Sequence, residues 1–121
     1  KLKKLFIALT VFLSLAAPSA LAHTTLISAN PKSGSVLNSL PTQISLNFTE
    51  PLMDIKGKAV NSLQLLSPEK NQLISTVSVA KNQLVGKVNA VKVQVGAYVI
   101  KYRVVAQDGH VLVGSYTFKI S

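Results

Sequence analysis

The sequence predicts an all-β domain, a Greek-key β-sandwich or barrel of six to eight short strands. Three observations lead there. Apolar residues recur at every second position in the clearest segments, which is the period of a strand with one buried face. Between those segments lie NPKSGS, LPTQ, EPLMDIKGK, SPEKNQ, AKNQ and VGAY, clusters of the residues that punctuate sheets. No amphipathic helix, internal repeat or linker is legible.

The chain opens with KLKK, continues through the apolar run LFIALTVFLSLAA, breaks at Pro18 and leaves through SALA. A basic start, a short apolar core and an A-x-A exit predict a cleaved secretory signal peptide over 1–22. A transmembrane anchor needs roughly 20 apolar residues, more than this run offers. Cleavage after Ala22 leaves one domain, 23–121, whose first residue is His23. Its 99 residues suit a single core.

Within that domain TLISA is a weaker strand candidate. QISLNF is a clear one, with Ile44, Leu46 and Phe48 opposite Gln43, Ser45 and Asn47. NSLQLL and QLISTVSV follow as further weaker candidates. LVGKVNAVKVQV reads as one strand or as two pieces parted around Gly86 to Asn89. YVIKYRVVA sets Tyr98, Ile100, Tyr102 and Val104 against Lys101 and Arg103. SYTFKIS sets Tyr116, Phe118 and Ile120 on one side. All five aromatics of the domain therefore belong to the expected inward face, as core residues rather than a ligand platform.

Charge and composition narrow the function. Residues 23–121 hold ten basic and four acidic side chains, a balance of +6. The lysines stand singly from Lys32 to Lys119, as on a solvated surface, whereas a nucleic-acid face calls for clustering with exposed aromatics. Nucleic acid is not an expected partner. There is no cysteine, so thiolate metal sites and cysteine nucleophiles are excluded.

Two histidines remain, His23 and His110. His110 lies in VVAQDGHVLVG between the two clearest strands. Asp-Gly in such a place signals a tight hairpin, and by itself the segment reads better as a turn followed by an ordinary surface histidine. His23 adds a different possibility. A free amino-terminal histidine offers its amine and its Nδ1 to one metal ion, closing a six-membered ring. The His110 imidazole would be a third nitrogen, and Asp108 could add a carboxylate oxygen. Such a mixed nitrogen and oxygen set favours Cu(II) in tetragonal geometry, with Zn(II) the weaker competitor.

With AHTTLISANPKSGS, LPTQISLNFTEPL and VVAQDGHVLVGSYTFKI in that order, the chain resembles the CopC family of periplasmic copper-binding proteins, including its YobA-like members. The likeness spans nearly the whole domain. It implies a cupredoxin-like or immunoglobulin-like fold that binds copper without turnover. It also implies His23 as amine and imidazole ligand, His110 as second imidazole, and Asp108 as weak ligand or anchor. Glu50, in FTE, matches an acidic residue near the family's Cu(II) site, in an axial or supporting place. Some members hold Cu(I) in a loop of methionines with a histidine. Here Met53 is the only methionine, so that second site is not expected, and Met53 reads as packing.

The expected function is capture of Cu(II) in the periplasm, for copper resistance or homeostasis, by a monomer acting as a copper chaperone. The family implies delivery to an inner-membrane importer of the CopD type. Binding should weaken steeply below about pH 6, because ordinary amines and imidazoles must shed protons before they ligate. Two alternatives belong to other classes. One is a copper-dependent oxygenase, which an amino-terminal histidine chelate also serves, although its substrate surface wants exposed aromatics. The other is a metal-free exported β-sandwich. No G-x-S-x-G elbow points to a hydrolase.

Overall fold

The structure, a computed structural model, describes residues 24–121. The signal-peptide reading and His23 lie outside the described residues. Eight strands form two four-stranded sheets: β1 (Leu26–Asn30), β2 (Val36–Leu37), β3 (Gln43–Phe48), β4 (Ser62–Leu66), β5 (Ile74–Ala80), β6 (Gln83–Val88), β7 (Gly96–Val105) and β8 (Val111–Ile120). One sheet runs β1-β3-β6-β5 and the other β2-β8-β7-β4. All pairings are antiparallel except β2 with β8. The chain changes sheet at each connection from β1 to β5, so the first sheet is complete only with β6 and the second only with β8. This is an all-β sandwich, as the alternation predicts.

The core lies where the two inner faces meet. Ile44, Leu46 and Phe48 of β3, Leu63 and Leu65 of β4, and Leu84 of β6 supply one part of it. Tyr98, Ile100 and Val104 of β7 join Phe118 and Ile120 of β8 to supply the rest. Tyr98 stacks on Phe118 with centroids 5.3 Å apart, and Phe48 meets Tyr102 edge-on at 5.7 Å. Tyr98, Phe48 and Phe118 are fully buried. Tyr102 and Tyr116 share the inward face but are only half-buried: the Tyr102 ring lies over Gly114, and the Tyr116 hydroxyl reaches the Pro31 carbonyl.

Two strands with imperfect alternation are explained by bulges. In β1 the apolar residues Leu26 and Ala29 are three apart, and the register shifts between Leu26 and Ser28 so that both turn inward while Ile27 stays exposed. In β5 the register shifts between Ile74 and Thr76, which lets Ile74 and Val79, an odd five positions apart, both pack on the core. An extra residue resets the strand's phase.

LVGKVNAVKVQV resolves differently from a break at Gly86. That glycine lies inside β6, facing Val77 and Ile44 in register. A Cβ there would stand 2.6 Å from Leu63 Cδ2 and 2.9 Å from Ile74 Cδ1, so the glycine marks a close approach between sheets. The strand ends at Val88, and 89–95 crosses to the second sheet without pairing. Its valines alternate, yet Val91, Val93 and Val95 are exposed. Alternation needs a neighbouring ladder to become a strand.

Candidate metal centre

The connection between β7 and β8 builds the candidate site. Ala106 to Gly109 makes a turn in which the Gly109 amide donates to the Ala106 carbonyl at 2.8 Å, and Gly109 takes φ of +93°. Only glycine enters that region readily. The Ala106 amide then donates to the His110 carbonyl at 2.8 Å, closing the loop. Asp-Gly is thus not the centre of a two-residue hairpin: Gln107 and Asp108 occupy the corner, and Gly109 carries the chain into β8.

Asp108 grips His110 twice. Its Oδ1 accepts the His110 backbone amide at 3.0 Å, and its Oδ2 lies 2.8 Å from His110 Nδ1. Both side chains are about half exposed, at 52% and 54%. The backbone hydrogen bond first, and the ring contact next, hold the Asp108 carboxyl below the ordinary aspartate range. The carboxylate thus sets the ring orientation through Nδ1, the kind of arrangement by which a carboxylate orients an imidazole.

Two further segments meet this loop. The Thr25 amide donates to Thr49 Oγ1 and the Thr49 amide to the Thr25 carbonyl, both at 2.9 Å. This pins the start of the domain to the end of β3. Thr24, next to His23 in sequence, is buried and lines one hollow of about 340 Å³ with His110, Val111 and Leu112. Among the described residues its Oγ1 is buried without a hydrogen-bond partner. Glu50 follows β3 and is half-buried. Beyond it, Pro51 accepts the Gln107 amide at 3.1 Å and Leu52 bridges Ala106. Glu50, Asp108 and His110 therefore belong to converging segments, but among the described residues no three His, Asp or Glu side chains gather closely enough to hold a metal.

Asn61 is the residue that sequence reasoning missed here. It is buried, donates to the Met53 carbonyl at 2.7 Å and accepts the Val105 amide at 2.8 Å. Met53 in turn donates its amide to the Val105 carbonyl at 2.7 Å. Asn61 thus locks the segment after Glu50 against the root of the His110 loop. A polar residue directly before the alternating SLQLL was the available signal.

The model of the CopC domain matches residues 26–121. The chain belongs to the CopC domain family. This CopC-domain chain is 30% identical over 113 residues to protein YobA of Escherichia coli strain K12, covering 88% of itself and 86% of that protein. The match to protein YobA of Shigella flexneri has the same extent. Among solved structures, CopC from Methylosinus trichosporium OB3b superposes with a TM-score of 0.68 at 24% identity, over 82% of this chain and 94% of that one. PcoC, a methionine-rich copper resistance protein from Escherichia coli, gives 0.64 at 25% identity, over 83% and 100%. The CopC-domain β-sandwich is shared by all of these structures.

Proposed function

We propose that this protein is a copper-binding protein of the CopC type, not an enzyme, and that it holds one Cu(II). The carrying observation is the double grip of Asp108 on His110 at the end of the sandwich where the chain enters at Thr24. His110 supplies an imidazole. His23, one residue before Thr24, supplies its amine and Nδ1 once the leader is removed in the periplasm. Both Asp108 oxygens serve His110, which favours the anchoring role over that of a ligand. Glu50 stands in a supporting place on the segment that runs beside the loop.

PcoC is a methionine-rich copper resistance protein, whereas this chain has Met53 alone. Soft thioethers select Cu(I), so the single site is assigned to Cu(II). The aromatics are buried or half-buried within the sandwich, which supports carriage over oxygenase chemistry. The monomeric carrier would pass copper to an inner-membrane importer of the CopD type.

The test is Cu(II) competition titration with electron paramagnetic resonance on two proteins, one starting at His23 and one with an additional glycine before it. The proposal expects far tighter binding by the first, with a nitrogen-rich tetragonal spectrum, and a large loss in His110→Ala. Equal binding by the two proteins would sink the amine chelate.

A further inference from the structure

The copper reading leaves the outer face of the β2-β8-β7-β4 sheet without a role. Lys101 and Arg103 stand two apart on β7 and so share that face. In register, Lys101 lies between Gln64 of β4 and Ser115 of β8, and Arg103 between Ser62 and Val113. These six residues line a trough of about 510 Å³. No strand of this sheet contains an aspartate or glutamate. Among the described residues the Asp108–His110 contact is the one ion pair, so neither cation has a carboxylate partner. Beside the cations Val111 and Val113 are 50% and 69% exposed, and Val111 directly follows His110.

Two uncompensated cations flanked by hydroxyl and amide groups form an anion-recognising surface, and bare valines next to them call for apolar cover. We propose that this trough docks an extended acidic segment of a protein partner, with carboxylates on Lys101 and Arg103 and apolar side chains over Val111 and Val113. A lipid surface is the poorer fit. Apart from Lys119, the remaining lysines of the described chain lie in loops or on β6, so charge is not collected into the broad basic patch that anionic membranes reward. Placement beside His110 gives the docking its purpose in copper transfer, and that purpose rests on the copper reading. The contact itself needs no metal.

The test uses isotope-labelled protein beginning at His23 and a blocked hexapeptide of alternating glutamate and valine, followed by amide chemical shifts. The proposal expects saturable shifts at Ser62, Gln64, Lys101, Arg103, Val113 and Ser115. The Lys101→Glu/Arg103→Glu variant should bind about tenfold more weakly, the Lys87→Glu control as tightly as the parent, and a glutamine version of the peptide hardly at all. Thermal melts check folding, with Arg103→Gln in reserve. Shifts spread over all the lysines, absence of saturation, or indifference to the double reversal would overturn it. So would preferential binding to phosphatidylglycerol vesicles through the same two residues. Copper titration of the same samples separates the readings: intact copper binding with no peptide binding removes the docking face alone, and peptide binding without copper binding removes the carrier reading alone.

Discussion

Asp108 shows how one carboxylate can fix the direction of a loop histidine. One oxygen holds the backbone of residue 110 and the other holds its ring, so main chain and imidazole are set together. Asp108→Asn keeps the shape but removes the charge, and second-sphere partners of ligating histidines are commonly worth 10–100-fold in metal affinity. We expect Cu(II) affinity to fall by at least about tenfold in that variant, measured by competition titration. An unchanged affinity would mean that the grip is not felt at the metal. The carboxyl's lowered pKa also has a defined sign. Its stabilising contribution is fully present above the ordinary aspartate value near 3.9 and is lost as pH falls through the lower, folded value. The Asp108 carboxyl resonance of the metal-free protein should accordingly titrate below that ordinary value, and titration at or above it would contradict the hydrogen-bonded geometry. The D-x-H spacing was legible in the sequence. That both oxygens serve the same histidine was not, because the turn could have closed on Asp-Gly instead.

At the scale of the strand, Gly86 carries the clearest prediction. It sits in mid-strand where β6 passes closest to Leu63 and Ile74. Adding one methyl forces side chains of the core to move, a class of change that costs about 1–3 kcal/mol. Gly86→Ala should lose stability of that order in chemical denaturation while Cu(II) affinity per folded molecule is retained. A variant as stable as the parent would show that Leu63 and Ile74 yield freely. The same strands mark what pattern reading can and cannot do. QISLNF, YVIKYRVVA and SYTFKIS were readable because each buries one clean face. β2 is only two residues, Val36 and Leu37, pairing in parallel with the end of β8. No local period can announce so short an element, and its partner lies over 80 residues away in the chain. The alternating 89–95 segment errs the other way, since its period lacks a partner ladder.

For the molecule as a whole, Tyr116 joins the two sheets. Its hydroxyl donates to the Pro31 carbonyl at 2.8 Å, tying β8 to the exit of β1. Burial chiefly, and then the neighbouring Tyr102 phenol, push the Tyr116 hydroxyl well above the ordinary tyrosine range, and burial also raises Tyr102. Groups with raised folded values contribute stability that is complete below the unfolded value near 10 and is lost as pH rises beyond it. Thermal melts should therefore fall progressively above about pH 10, with phenolate absorbance from these two residues appearing along with unfolding. Reversible ionisation of Tyr116 near pH 10 in the folded protein would refute the linkage.

Several properties of this protein follow from the sequence by itself. The period-two pattern and its turn residues determine an all-β sandwich, the absence of cysteine rules out thiolate chemistry, and the ordered segments around Glu50, Asp108 and His110 indicate the CopC family. Those are local or compositional properties, and each is written in consecutive residues. Only the tertiary structure decides that Thr24, the end of β3 and the β7–β8 loop converge, that Asn61 locks two of those segments, and that Lys101 and Arg103 share an acid-free trough. These depend on which strands become neighbours, and burial of both inner faces around one core selects that arrangement across distances the local pattern does not encode.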